Sequence, residues 1–355
     1  MEEKRIIIGI THGDINGIGY EVILKTLQDP HIFELCTPVI YGSPKVAAYY
    51  RKTLNIENMA LNTINHAHDA TGRKIYIINC CSDEVKVELG NSTEMAGQAA
   101  FAALKAATHD LSAGLLQAIV TAPINKYTIQ SPQFSFPGHT EYLENMFIKD
   151  GKALMLMVSD LLKVAVVTGH IPVAKVPATI TQELIVEKLT VLNKSLIEDF
   201  GIVRPRIAVM GLNPHAGDKG VIGTEEQTII IPAIQQCIEQ GIVCVGPLSA
   251  DGLFGSGSFR NFDAILAMYH DQGLAPFKTL AMENGVNYTA GLPIIRTSPA
   301  HGTAYELAGQ NTASESSFRN ALFLACDIYR HRQDYREATK NPLKINSMTQ
   351  GSEII

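Results

Sequence analysis

At 355 residues, with 46% hydrophobic and 18% charged residues, the chain is long enough for two domains of ordinary size. A net charge of −6 with dispersed basic residues excludes a phosphate-tracking stripe, so nucleic acid is not an expected partner. No apolar stretch reaches the ~20 residues of a bilayer span, because Asp160 and Lys163 interrupt the most apolar segment, Ala153 to Val167.

Alternating apolar runs and helical periods predict an α/β chain. Arg5–Thr11 reads as a strand, without the long apolar core of a signal peptide, and Gly17–Leu27 as the helix that follows. Pro38–Tyr41 is a strand and Lys45–Asn55 a helix. Alanine-rich Met95–His109 is a helix, and Gln117–Thr121 a buried strand ending at Ala122-Pro123. Met155–Val158 and Val164–Val167 flank a polar turn, a hairpin that makes the sheet mixed. Thr181 caps an amphipathic helix reaching Phe200, which Gly201 ends. The helix over Glu225–Gln240 is kinked or split by Pro232. The polar tail from Asn341 is expected to fray. No repeat or Gly/Ser linker marks a border, so the domains are expected to share strands. The six cysteines lie in apolar segments without CxxC spacing, as thiols do in a reducing compartment, and a cytoplasmic location is expected.

His170, His215 and His270 each stand just past a short apolar run of the kind that forms a buried parallel strand. Ligands of open α/β sheets bind beyond the carboxyl ends of strands. Three imidazoles there can converge on one divalent metal with a fourth position open for chemistry. Any one of them alone would more often be a structural histidine. Asp271 is placed to orient a neighbouring ligand. His139 and Thr140 stand at a helix start, where free N–H groups favour an anion, although Thr140 also reads as a plain N-cap. Lys278, Asn287 and Arg296 together suit a phosphate monoester. His12 and His301 sit in glycine-containing turns and are further possible site residues.

Several long motifs occur together: Val120–Lys126, Phe136–Glu141, Leu212–Gly217, Gly246–Asp251, Ala267–Gly273 and Gly291–Ser298. In these the sequence resembles the 4-hydroxythreonine-4-phosphate dehydrogenase family, through most of the chain. The resemblance implies an isocitrate/isopropylmalate dehydrogenase-like fold, α/β/α with mixed sheets. The two domains are expected over 1–125 with 295–355, and over 126–294. It further implies a homodimer with a shared active site, NAD or NADP, and one divalent metal (zinc, magnesium or cobalt) on His170, His215 and His270. The last of these is expected from the partner subunit. His139, Thr140, Lys278, Asn287 and Arg296 are the implied substrate contacts, with His139, Lys126 and Asp251 as acid/base candidates. The expected reaction oxidises a small phosphorylated hydroxy amino acid to a β-keto acid that loses CO₂, on the route to vitamin B6. Two departures from the family pattern, Ile15-Asn16 with Tyr20 and Ala300 before His301, bear on cofactor or substrate contacts. A sister dehydrogenase for erythronate or threonate 4-phosphate, a zinc hydrolase and a non-catalytic metal-binding protein are the rival assignments.

Overall fold

The computed structural model describes residues 5–148 and 153–341. Its strands are β1 (Ile7–Thr11), β2 (Thr37–Gly42), β3 (Leu61–Ile64), β4 (Ile75–Asn79), β5 (Ala118–Thr121), β6 (Leu154–Val158), β7 (Lys163–Thr168), β8 (Arg206–Met210), β9 (Val243–Leu248), β10 (Ala264–Tyr269), β11 (Val286–Ala290) and β12 (Arg296–Pro299). The helices are α1 (Gly19–Thr26), α2 (Ile32–Leu35), α3 (Pro44–Thr53), α4 (Glu94–Ser112), α5 (His139–Phe147), α6 (Val176–Thr179), α7 (Gln182–Glu198), α8 (Ile231–Glu239), α9 (Ala250–Gly255), α10 (His270–Ala281) and α11 (Ser316–Thr339).

All twelve strands form one sheet in the order β3-β4-β2-β1-β5-β12-β11-β6-β7-β10-β8-β9. The six strands from β3 to β12 pair in parallel, as do the four from β7 to β9. Antiparallel pairings join the two blocks through β12–β11, β11–β6 and β6–β7. The sheet is therefore mixed, as the hairpin at 155–167 predicts. The chain leaves the first block after β5 and re-enters it at β12, which pairs with β5.

Local chemistry accounts for the element ends. Ser43, Thr93 and Thr181 side chains accept hydrogen bonds from the first turns of α3, α4 and α7. Gly201 lies just past the last turn of α7 at φ +67°, where a glycine is least strained. Pro232 stands at the start of α8, and the five residues before that helix wind as a π-turn, so the predicted split occurs there. Thr140 does not cap α5. That position belongs to Gly138, and among the described residues no side-chain cap bonds the first turn. The predicted tail lies largely outside the described residues. Among the described residues no helix is long and apolar enough to cross a membrane.

Candidate active site

β7, β10 and β8 are parallel neighbours, so His170, His270 and His215 all leave the same edge of the sheet. Thr168 is opposite Tyr269 in the β7–β10 register, and the rings of His170 and His270 stand 5.4 Å apart by centroid. They share a cavity of about 160 Å³. Asp271 Oδ1 lies 2.6 Å from His270 Nδ1, the orienting contact expected of it. Burial, then Lys126 and His270, lowers the His170 pKa and favours the neutral imidazole that a metal requires. Two such rings side by side suit a divalent cation. Among the described residues, however, no three His, Cys, Asp or Glu side chains close around one point. Within one chain His170 is paired with His270, and His215 stands apart and exposed.

His215 is carried by an unusual turn. His215, Ala216, Asp218 and Lys219 have φ of 54°, 52°, 41° and 56°, with Gly217 between them at 78°. Left-handed backbone costs an L-residue roughly 1–2 kcal/mol. Four non-glycine residues in that region require firm support from their surroundings. Two such supports are visible. Glu226, 2% exposed, accepts hydrogen bonds from Asn213 N at 2.7 Å and Asn213 Nδ2 at 3.0 Å. Gln272 donates to Gly211 O at 2.7 Å and accepts from Met268 N at 2.7 Å, tying the start of this loop to the end of β10.

A second cavity, of about 210 Å³, lies where the ends of β5 and β12, the first turn of α5, His170 and Asn287 meet. Arg296 is buried there at 4% exposure. Its Nε and Nη2 donate to Thr121 Oγ1 at 3.0 and 2.8 Å, and Nη1 donates to Thr289 Oγ1 at 3.3 Å. No carboxylate pairs with it among the described residues. Burial lowers its pKa to about 10, Glu141 opposing, so it remains a cation at neutral pH. A guanidinium has five N–H donors, and the two hydroxyls leave capacity for an anion. His139 Nε2, Asn287 Oδ1 and His301 Nε2 line the same cavity and are buried without a partner. Burial, then Arg296 and Lys126, holds the His139 pKa well below its ordinary 6.5, so His139 is a neutral donor or acceptor. Buried polar groups normally find partners; beside a lone guanidinium the two imidazole nitrogens can donate to an anion, while Asn287 Oδ1 can only accept, from a ligand hydroxyl or ammonium.

Of the predicted site residues, Lys126, His139, Thr140, His170, Asn287 and Arg296 line this cavity, and His270 adjoins it through His170. His215, Asp251 and Lys278 are exposed and line neither cavity. Sequence reasoning did not single out Glu141, the one carboxylate on the wall of the larger cavity, nor Thr121 and Thr289, which hold Arg296. Glu141 and Thr121 fall inside quoted motifs, whereas Thr289 carries no sequence signal of its own.

The departures near the first strand are structural. Asn16 is fully buried and donates to Asn91 O and Thr93 Oγ1 at 2.9 and 3.0 Å, while accepting from Glu88 N at 2.8 Å. It pins the loop before α4. Tyr20 stacks between His12 and Tyr50, with centroids 5.3 and 5.4 Å away. Ala300 does line the larger cavity.

Burial lowers the His12 pKa from 6.5 to about 4. Between those values the unfolded chain holds the extra proton. Stability therefore falls as pH drops through that window, by about 3 kcal/mol in total for this group. His12→Phe keeps a ring against Tyr20 and removes the buried imidazole. Urea unfolding from pH 7 to 4 is expected to show a shallower acid loss in this variant, and an unchanged slope would refute the assignment.

The sheet and helix layers are those of the isocitrate dehydrogenase-like class. A structure of isocitrate dehydrogenase from Methylococcus capsulatus superposes with a TM-score of 0.50 at 11% identity, covering 94% of this chain and 89% of that one. The sequence pattern of the pyridoxal phosphate biosynthetic protein PdxA family matches residues 34–325, and the chain belongs to that family. A 4-hydroxythreonine-4-phosphate dehydrogenase from Bacteroides thetaiotaomicron is 58% identical, covering 97% of this chain and 94% of that one. A protein from Oceanobacillus iheyensis, named as a proposed D-threonate 4-phosphate dehydrogenase, is 39% identical, covering 92% and 98%. The crystal structure of 4-hydroxythreonine-4-phosphate dehydrogenase from Klebsiella pneumoniae gives a TM-score of 0.81 at 35% identity, covering 93% and 99%.

Proposed function

We propose that the chain is an NAD(P)-dependent oxidoreductase that converts 4-phosphohydroxy-L-threonine to its 3-oxo acid. That acid then decarboxylates to 3-amino-2-oxopropyl phosphate, in vitamin B6 biosynthesis. The carrying observation is Arg296, a buried cation without a carboxylate partner among the described residues, sharing its cavity with unpaired polar atoms of His139, Asn287 and His301. Such a cavity favours a small anion with several hydrogen-bonding groups.

Arg296 and Asn287 hold the phosphate as a handle and thereby fix the rest of the substrate. His139, neutral at working pH, contacts the substrate and moves a proton at Nε2. Lys126 lines the same wall, whereas Asp251 is exposed and lines neither cavity of the single chain. His170 and His270 would hold a divalent cation, which would supply positive charge to a developing substrate oxyanion, and a bound NAD(P) would supply the hydride acceptor.

We further propose a homodimer whose active sites are shared. The exposure of His215, Asp251 and Lys278 outside both cavities supports a site that one chain leaves incomplete. The pairing of His170 with His270 within one chain supports the partner's His215 as the third imidazole, whereas the resemblance gives the partner's part to His270. Residues 1–125 with 295–355, and residues 126–294, are proposed as the two domains. The return of the chain from β5 out to β6, and back through β11 to β12, supports this division.

Turnover of D-threonate 4-phosphate is the second reading, favoured by the name of the Oceanobacillus relative. NADH formation with each phosphorylated acid, measured side by side, tests the assignment. The highest kcat/KM is expected with 4-phosphohydroxy-L-threonine. Faster turnover of D-threonate or erythronate 4-phosphate would overturn the substrate while leaving the dehydrogenase class intact.

A further inference from the structure

We infer that Glu226 is a positioning residue: it holds the left-handed turn that presents His215, and so sets the affinity of the metal site without touching the metal. The inference rests on the proposed role of His215 as a ligand.

Glu226 is nearly fully buried and makes no ion pair among the described residues. A lone buried carboxylate is unfavourable unless its oxygens are well bonded. Both of its oxygens accept from one residue, Asn213, two positions before His215. The carboxylate also packs directly against the turn. A Cβ on Gly217 would lie 2.4 Å from its Oε2, and a Cβ on Gly211 would lie 3.1 Å from its Oε1. The group thus touches the segment before and after His215. Asn213 Nδ2 donates also to Glu225 Oε2 at 2.8 Å, which closes the loop onto the start of the π-turn. The turn is also bonded along its own backbone as a short 3-10 segment, with Ala216 N to Asn213 O at 3.1 Å, Val221 N to Asp218 O at 3.2 Å and Ile222 N to Gly217 O at 3.1 Å at its ends. Glu226 adds the side-chain support that reaches both flanks of this run of L-residues at positive φ, and its loss would let the strained backbone relax and shift His215.

Titration of the purified full-length protein with Co²⁺, followed by its visible absorption, tests this. In E226Q one acceptor oxygen becomes an amide NH2, which donates and cannot accept from Asn213. Co²⁺ affinity is expected to fall about 10- to 100-fold, as for other groups that orient a ligand. Activity should return at excess Co²⁺, with KM for the phosphorylated substrate within about twofold of the parent, since Arg296 and Asn287 are untouched. N213A, which keeps the backbone bond, should show a smaller loss in the same direction, and it decides the matter alone if E226Q does not fold. A variant that melts earlier yet binds Co²⁺ as tightly as the parent, while H215A binds weakly, would show Glu226 to be merely structural and overturn the inference. If H215A itself binds Co²⁺ as the parent does, the ligand assignment fails and the role of Glu226 falls with it.

Discussion

Arg296→Ala is expected to lower kcat/KM for the phosphorylated substrate by roughly 30- to 5,000-fold, mostly through KM. That range follows from the 2–5 kcal/mol lost on truncating one member of a buried, hydrogen-bonded charge pair. Among the described residues the guanidinium has no carboxylate to hold it, only the hydroxyls of Thr121 and Thr289, so its charge is available to the ligand. Arg296→Lys should recover little, because an ammonium cannot reproduce the planar fork. Steady-state kinetics with the phosphorylated substrate and its unphosphorylated analogue provide the check. The analogue should lose far less. Equal losses would show that Arg296 does not act on the phosphate.

His170→Ala should weaken divalent metal binding by more than about 100-fold, since loss of groups that merely orient a ligand already costs 10- to 100-fold. Its kcat should fall with the metal. The mixture experiment adds geometry. If the third imidazole comes from the partner's His215, equal amounts of His170→Ala and His215→Ala protein should recover about a quarter of parental activity. Half the dimers are then mixed, and one of their two sites is intact. His170→Ala mixed with His270→Ala should recover nothing, because those two rings are neighbours in one chain. Recovery in the second mixture and not the first would assign the partner's contribution to His270.

The three strand-end histidines were legible because buried parallel strands are written as continuous apolar runs, and chain ends of neighbouring strands share an edge. The same reasoning found the hairpin, the Thr181 cap and the break before α8. It did not find β3, Leu-Asn-Thr-Ile, an edge strand with half-exposed polar positions and no apolar run. Nor could it foresee the turn at His215. Pro-His-Ala-Gly-Asp-Lys contains one glycine, and the left-handed backbone depends on a carboxylate eleven residues further on. Arginine is usually exposed, so the burial of Arg296 was not legible; its role came from its company with Asn287 and Lys278. Asp251, inside a quoted motif, and Lys278, chosen for its company with Asn287 and Arg296, are exposed here, since sequence spacing carries no information on which side of a short helix meets the cavity.

Metal-dependent hydride transfer from a small phosphorylated hydroxy amino acid is the chemistry proposed for this site. Absorbance at the nicotinamide band, with 4-phosphohydroxy-L-threonine and NAD or NADP, tests it most directly when chelator-stripped protein is compared with the same sample reloaded with Zn²⁺, Mg²⁺ or Co²⁺. Reduced nicotinamide should form with the reloaded protein and be nearly absent with the stripped one. Equal rates in the two samples, or substrate loss without any change at that band, would contradict the account.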